Sequence, residues 1–236
     1  MSFYGEWLAC GNPLEEQLYI KNFLEGTQES SAPLFNGNEE DLDAAYAVIK
    51  QTPLTDFFEI IERDCQLPTL NAACVPCFSS LEKGASRVNE ILEFEPEGLT
   101  FDQLGYQLMN SKKQGAKKKY GENQAKLAMT MNLVYFKKKN SYTLVCPTTW
   151  GSYLTRYTFE QKQDVLKKLL LRDPCIRTLL HFAFLGPVKY CEIVPFLKKS
   201  TMIRRRTNVR SLVLFILNDS EREVAYTNID WDVEED

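Results

Sequence analysis

The sequence predicts a mainly α-helical protein with small β-hairpins, which is an α+β fold. Two observations support this prediction. An order of helix, helix, helix and hairpin patterns between residues 81 and 147 recurs after residue 158, and a Thr-x-x-Gln pair opens a helical pattern in each half. Hydrophobic residues make up 44% and charged residues 25% of the 236-residue chain, which is ordinary for a globular protein. The longest apolar runs fall far short of the roughly 20 residues that a membrane span needs.

Residues 1–80 are predicted to form an acidic, helical N-terminal region. Apolar residues recur at near-helical spacing in Leu14–Leu24, and helices are also predicted for Ala44–Lys50 and Pro53–Arg63. The stretch Gly26–Asn38 is rich in Ser, Asn and Gly, and Gln66–Ser80 is interrupted by proline and cysteine. Both stretches are therefore expected to be connections.

Residues 81–150 are predicted to form a winged-helix unit. The pattern indicates a helix over Glu82–Glu93, a short helix that begins after Thr100, and a third helix over Ala116–Asn132. Gln103 lies three residues after Thr100, which is the spacing of a capping box. Two strand-like runs follow, Leu133–Phe136 and Tyr142–Val145, and they flank the turn Lys137–Ser141. Three helices followed by a hairpin is the order of a winged helix.

Residues 151–226 are predicted to repeat this plan, and residues 227–236 form an acidic tail. The second unit begins with a capping box at Thr158 and Gln161. Its predicted helices are Phe159–Leu171, Cys175–Phe184, Val188–Leu197 and Thr201–Leu217, and Asn218–Arg222 with Glu223–Tyr226 would close a short wing. The sequence thus predicts tandem winged helix-turn-helix units behind an acidic helical N-terminal region.

Charge is divided sharply along the chain, although the net charge is only −4. Residues 1–110 hold 5 Lys/Arg against 19 Asp/Glu, residues 111–226 hold 23 against 8, and residues 227–236 add 5 acids and no base. Attraction of a polyanion depends on the local field rather than on net charge, so the excess of basic residues in 111–226 predicts binding to nucleic acid. The alternative is that an acidic domain simply docks onto a basic one.

The predicted DNA contacts are concentrated at the starts of the two recognition helices and on the first hairpin, because a helix-turn-helix places its second helix in the major groove and its wing on phosphates. In the first unit they are Lys117, Lys118, Lys119, Tyr120, Asn123, Gln124 and Lys126 on the helix, and Lys137, Lys138 and Lys139 on the wing. In the second unit they are Lys198, Lys199, Arg204, Arg205, Arg206 and Arg210. The lysines would contact phosphates, whereas Asn123, Gln124 and Arg205, Arg206 and Arg210 would contact bases. Neutralising eight to ten phosphates would give a log–log salt slope of about −7 to −9.

The sequence offers little support for catalysis, a metal or a cofactor. The only histidine, His181, lies within an apolar run, and a single histidine cannot build a Ser-His-Asp triad or a multi-histidine metal site within one chain. Asp219, Glu221 and Glu223 lack a lysine partner of the kind that a metal-dependent nuclease uses. Four cysteines, Cys10, Cys65, Cys74 and Cys77, could ligate zinc, but their spacing is irregular and favours buried thiols.

Several segments together resemble a known class of proteins. At Lys119–Leu127 (KYGENQAKL), Leu133–Val134, Tyr142–Leu144 and Leu166–Leu171 (LKKLLL) before Asp173–Pro174, the chain resembles tandem winged-helix modules that accompany restriction-modification and similar bacterial defence proteins. The resemblance covers residues 81–226 and implies sequence-directed DNA targeting with a separate nuclease, methyltransferase or ATPase as partner. It also implies that Lys119, Tyr120, Asn123 and Lys126 lie on the recognition helix.

The resulting hypothesis is a non-catalytic DNA-binding protein whose two winged-helix units bind one double-stranded DNA, as the target-recognition component of a restriction-like or defence system. The acidic N-terminal region would dock a partner or shield the basic face. A cytoplasmic location without membrane association is expected, since no secretory signal is found at the N-terminus and seven scattered cysteines are typical of reduced thiols. The alternatives are a compact Mg²⁺-dependent restriction endonuclease, a transcription regulator and a protein-interaction scaffold.

Overall fold

The structure of the protein is a computed structural model, and it describes residues 39–63, 67, 69–109 and 114–233. These residues are mainly helical, with a small three-stranded antiparallel sheet and a short two-stranded parallel sheet, so the prediction of an α+β fold is confirmed. The helices are α1 (Glu39–Gln51), α2 (Leu54–Arg63), α3 (Ser86–Leu92, after a π-helical turn over Leu81–Ala85), α4 (Phe101–Leu108), α5 (Gln114–Thr130), α6 (Thr149–Leu154), α7 (Phe159–Leu170), α8 (Pro174–Leu185), α9 (Tyr190–Ile193), α10 (Lys199–Ile216) and α11 (Asp219–Val224). The strands are β1 (Leu99–Thr100), β2 (Val134–Lys139), β3 (Tyr142–Pro147), β4 (Val188–Lys189) and β5 (Ile229–Asp230).

Both predicted capping boxes are present. The Thr100 hydroxyl accepts a hydrogen bond from the backbone N–H of Gln103 at 3.3 Å, and the Thr100 N–H donates to the Gln103 side chain at 2.9 Å. The same pair of bonds joins Thr158 and Gln161 at the start of α7, again at 3.3 and 2.9 Å. Each box satisfies two N–H groups that a helix start would otherwise leave without partners. The local sequence therefore determines where α4 and α7 begin.

The three-stranded sheet has the order β1-β3-β2, with antiparallel neighbours throughout. The hairpin of β2 and β3 pairs Lys139 with Tyr142 across the two-residue connection Asn140–Ser141. Asn140 has a φ of 54°, a left-handed conformation in which asparagine is enriched. Strand β1 pairs with β3 where Leu99 lies opposite Val145. The predicted hairpin is thus confirmed, but its lysines lie in β2 rather than in the turn.

Helices α4 and α5 cross with their backbones in contact. A Cβ atom added to Gly105 would lie 1.9 Å from the carbonyl oxygen of Lys117, and one added to Gly121 would lie 2.2 Å from the carbonyl oxygen of Phe101. Only glycine permits so close an approach. This contact explains why glycine occupies the middle of α5, where it lowers helix propensity.

The described part of the acidic N-terminal region packs onto the C-terminal part of the chain. The ring of Tyr46 in α1 stacks on Tyr157 with 4.2 Å between centroids, and its hydroxyl donates to the carbonyl oxygen of Gln161 at 2.9 Å. The ammonium group of Lys168 in α7 donates to the carbonyl oxygens of Ile49 and Lys50 at the end of α1. One continuous apolar core, which extends from Leu42 to Val233, joins these helices.

The end of the second unit departs from the prediction. Residues Asn218–Tyr226, which were expected to form a wing, instead contain α11 and the start of a 3-10 turn (Tyr226–Asn228). Asn218 and Glu221 form a capping box, in which the Asn218 N–H donates to the Glu221 carboxylate at 2.8 Å, so this segment begins a helix. The prediction of a second hairpin is therefore wrong.

Two further elements differ from the expected order. The segment predicted as one helix over Val188–Leu197 is divided into β4 and the single turn α9, because Val188 pairs in parallel with Ile229 of β5. Helix α6 was not expected, and its start is capped by Thr148, whose hydroxyl accepts from the N–H of Gly151 at 2.8 Å. The helix predicted for Leu14–Leu24 lies outside the described residues. None of the described helices is long and apolar enough to cross a membrane.

Candidate nucleic-acid interface

The first candidate surface is the exposed stripe along α5. Lys118, Lys119 and Lys126 are exposed, and Glu122 lies between them, half-buried. The opposite side of the helix, which includes Ala125 and Ala128, is buried in the core. Residues three, four and seven positions apart share one face of a helix, so this side of α5 presents three cations and one anion to solvent.

Glu122 organises two of these lysines. Its carboxylate is 3.1 Å from the Lys119 ammonium and 2.6 Å from that of Lys126. The hydrogen bond from Lys126 is the main reason why the pKa of Glu122 lies below its ordinary value. Exposed pairs of this kind contribute only about 0–1 kcal/mol to stability, so the pairs are easily exchanged for contacts with a polyanion.

Lys117 and Tyr106 form a contact at the first turns of α5. The Lys117 ammonium lies 3.8 Å from the centroid of the Tyr106 ring, which belongs to α4 and is 71% exposed. A cation–π contact at such an exposed site is worth about 0.5–1 kcal/mol. It holds the Lys117 side chain along α4 at the edge of the exposed stripe.

The second candidate surface is the end of the β2–β3 hairpin. Lys137, Lys138 and Lys139 are all exposed, and none of their side chains makes an ion pair or a hydrogen bond with the residues that the structure describes. The base of the hairpin is anchored where the ring of Phe136 packs edge-on against Phe101 of α4, with 5.4 Å between centroids. The hairpin therefore carries uncompensated positive charge at a position fixed by the core.

Gln124 was predicted to contact bases, and this prediction is wrong. Its side chain is fully buried, with 0% of the residue exposed. The amide lies against Gly84 of the preceding helical turn, where an added Cβ atom would be 2.3 Å from the Gln124 Oε1 atom. Among the described residues neither polar atom of this amide has a hydrogen-bond partner. Position 124 shares the buried face of α5 with Ala128, so its side chain cannot reach a ligand.

Tyr120 and Asn123 face a neighbouring loop rather than open solvent. The ring of Tyr120 packs edge-on against Phe78, with 5.0 Å between centroids. Asn123 and Lys126 line a cavity of about 250 Å³, together with residues of the segment 71–78 and Asp173–Pro174. Direct base contact by the Tyr120 ring would require this loop to move.

The arginines of α10 are directed mostly at the chain itself. Arg205 donates to the carbonyl oxygen of Val75 at 3.0 Å and also to that of Ala72. Arg206 donates to the carbonyl oxygen of Trp231 at 3.0 Å. These two side chains therefore brace loop 71–78 and the C-terminal segment, and they are not free to contact bases as predicted.

The other basic residues of this helix, together with Lys198 just before it, divide into two groups. Arg210 donates to the hydroxyl of Tyr226 and lies 5.7 Å from the centroid of that ring. Arg204 and Lys198 are exposed, and Lys199 is half-buried. Three of the six cations predicted in the second unit therefore bond to other parts of the chain, in contrast to the lysines of the hairpin.

Sequence reasoning missed three residues of these surfaces. Glu122 was overlooked because a lone acid among lysines has no motif of its own. Tyr106 and Tyr142 were overlooked because the exposure of an aromatic residue in an amphipathic element depends on what packs against it. Tyr142 is 63% exposed beside the hairpin lysines. The alternation of β3 could not have indicated it, since Tyr142 shares its face of the strand with Cys146, which is buried.

The histidine and two of the carboxylates considered for catalysis or metal binding make contacts within the chain. His181 is half-buried and packs edge-on against Phe182, with 5.2 Å between centroids. Glu221 caps α11, and Asp219 pairs with Arg222 at 3.0 Å. Within the described ranges no group of three or more His, Cys, Asp or Glu residues could hold a metal ion. Cys74 and Cys77 are free thiols, whereas Cys10 and Cys65 lie outside the described residues.

Comparison of the chain with protein-family models, with curated proteins and with solved structures finds no match.

Proposed function

We propose that the chain binds double-stranded DNA through residues 81–147, with the β2–β3 hairpin and the exposed stripe of α5 against the duplex. The observation that carries this proposal is the set of three exposed, uncompensated lysines at positions 137–139, on a hairpin anchored in the core. Its support is electrostatic, because phosphate contacts supply most of the affinity of non-specific DNA binding.

The element order supports a winged-helix interpretation of this region. Residues 81–147 run through α3, β1, α4, α5 and the hairpin, and β1 pairs back onto β3. In a helix-turn-helix the second helix of the pair lies in the major groove, which is about 12 Å wide and admits an α-helix. In that arrangement α5 would enter the groove with Lys118 and Lys119, and the hairpin lysines would contact the adjacent phosphates.

The second unit would contribute less than the sequence predicts. Arg205, Arg206 and Arg210 already have partners within the chain. Lys198 and Arg204 are the exposed cations that remain available at this end of α10.

A role as the target-recognition component of a restriction-like or defence system, with a separate nuclease, methyltransferase or ATPase, rests on the resemblance of residues 81–226 to such modules.

A salt series tests the proposal. Binding of a fluorescent duplex is followed by anisotropy for the wild-type protein and for the triple variant Lys137→Ala, Lys138→Ala, Lys139→Ala. Lys117–Lys119 and the hairpin lysines would neutralise about six phosphates, which gives a log–log slope of about −5 for wild type. Loss of three contacts should reduce the slope to about −3.

A matched control is the double variant Lys198→Ala, Arg204→Ala, which removes exposed cations from the second unit. We expect it to retain most of the wild-type slope. An equal reduction of the salt slope in the two variants would contradict the assignment of the phosphate contacts to the hairpin. An affinity that stays constant as salt rises would contradict phosphate-driven binding altogether.

A further inference from the structure

The end of the hairpin combines an exposed aromatic ring with free cations. Tyr142 is 63% exposed although tyrosine carries a large apolar ring. Among the described residues, no aromatic ring or cation contacts its face and no hydrogen bond involves its hydroxyl. Single exposed aromatic residues are common on protein surfaces, so exposure alone does not indicate a site. The indication of a site comes from the lysines that lie beside this ring.

The strand register places two lysines beside Tyr142. Lys139 is its direct partner across the hairpin, and Lys137 lies opposite Leu144, two residues further along β3. Residues directly opposite each other share one face of a sheet, and diagonal neighbours are within reach of long side chains. Lys137, Lys139 and Tyr142 therefore lie on the same face, whereas Lys138 lies on the other face with Thr143.

This face matches the chemistry of a single nucleotide. An aromatic ring can stack on a base, and ammonium groups beside it on the neighbouring strand can contact the phosphates that flank that base. A base within an intact duplex offers no free face for such stacking, because its neighbours already cover both sides. The ring therefore suits an unpaired base, which is free to turn a face toward it.

We propose that Tyr142, with Lys137 and Lys139, forms a stacking site for an unpaired base of a DNA strand next to the bound duplex. This inference rests on the proposed function and specifies its substrate as DNA with a duplex-to-single-strand junction. The duplex lies against α5 and the hairpin lysines, and the unpaired strand leaves it over Tyr142, so that Lys137 and Lys139 contact phosphates in both parts of the DNA.

The test compares two DNA substrates of equal length and duplex sequence, one blunt and one forked with short unpaired adenine tails. Base–aromatic stacking contributes about 1–3 kcal/mol per base, which corresponds to about fivefold or more in affinity. Wild type is expected to bind the fork at least about fivefold more tightly than the blunt duplex. Tyr142→Phe keeps the preference because the ring remains, and Tyr142→Ala makes the affinities for fork and blunt duplex equal.

Two variants serve as controls. Tyr106→Ala removes another exposed tyrosine, one whose ring is already in contact with Lys117, and should leave the preference unchanged. Lys138→Ala, on the other face of the hairpin, should lower the affinity for both substrates equally. A 2-aminopurine placed among the unpaired bases reports stacking directly, since its fluorescence should be quenched by wild type and not by Tyr142→Ala.

The outcomes separate the two proposals. Equal binding of fork and blunt duplex by wild type, or a preference that survives Tyr142→Ala, overturns the stacking site and leaves the duplex-binding proposal standing. Failure to bind either substrate overturns the duplex-binding proposal and the stacking site together.

Discussion

Replacing Gly121 by alanine should destabilise the protein, because α4 and α5 cross with their backbones in contact. An added Cβ atom would lie 2.2 Å from the carbonyl oxygen of Phe101 and 2.6 Å from the backbone nitrogen of Gly105. Ordinary van der Waals contact begins at 3.4 Å. Both atoms belong to the backbone, so no rotamer change can relieve the overlap. The two helices would have to separate by about 1 Å at their crossing point.

Two opposing effects determine the magnitude. Alanine is about 1 kcal/mol more favourable than glycine in a helix interior. Overpacking a core costs about 1–3 kcal/mol, and a clash between backbones belongs at the upper end of that range or beyond it. We expect a net loss of about 2 kcal/mol in the free energy of unfolding, which lowers Tm by about 4–8 °C in a chain of this size.

Urea denaturation and thermal melting, followed by circular dichroism, measure this change. Gly115→Ala is the matched control, since Gly115 lies in the same helix and has no atom of the described residues within 4 Å of an added Cβ. The control should retain wild-type stability or gain up to about 1 kcal/mol. If Gly121→Ala were as stable as Gly115→Ala, the close crossing of α4 and α5 would be refuted.

Three further outcomes are expected from the same denaturation assays. Gln124→Met should stabilise the protein by about 1–3 kcal/mol, because it removes a buried amide that has no partner among the described residues, and DNA affinity should not change. Thr158→Ala should cost about 1 kcal/mol through loss of the cap on α7, and an unchanged urea midpoint would contradict the capping geometry. Burial raises the pKa of Asp173 to about 7, so the native state binds this proton more tightly than the unfolded state does. The free energy of unfolding should therefore fall by up to about 4 kcal/mol as the pH rises from about 4 to about 7. Asp173→Asn keeps an acceptor for the Ile176 N–H and removes the titration, so its stability relative to wild type should rise from pH 5 to pH 8, and a constant difference would contradict the burial of a titrating carboxyl.

Features that depend on neighbours in sequence could be predicted from the sequence by itself. Thr100 and Gln103 are three residues apart, which lets them form the capping box when a helix begins after Thr100. The start of α4 therefore follows from the residues alone. The hairpin was predicted for a similar reason, because runs rich in Val, Tyr and Thr flank a polar turn. The uncompensated lysines at 137–139 followed from that hairpin, since a two-stranded end that extends past the core leaves its side chains in solvent.

Only the tertiary structure decided which polar side chains remain accessible. Gln124 and Asn123 are adjacent and chemically alike, yet one is fully buried against Gly84 and the other lies at a cavity beside loop 71–78. Arg205 contacts Val75 across 130 residues of sequence, and β4 pairs with β5 although several helices separate them in the chain. Such contacts depend on how whole elements pack, because a helix pattern specifies its apolar face but not which neighbour will cover its polar one.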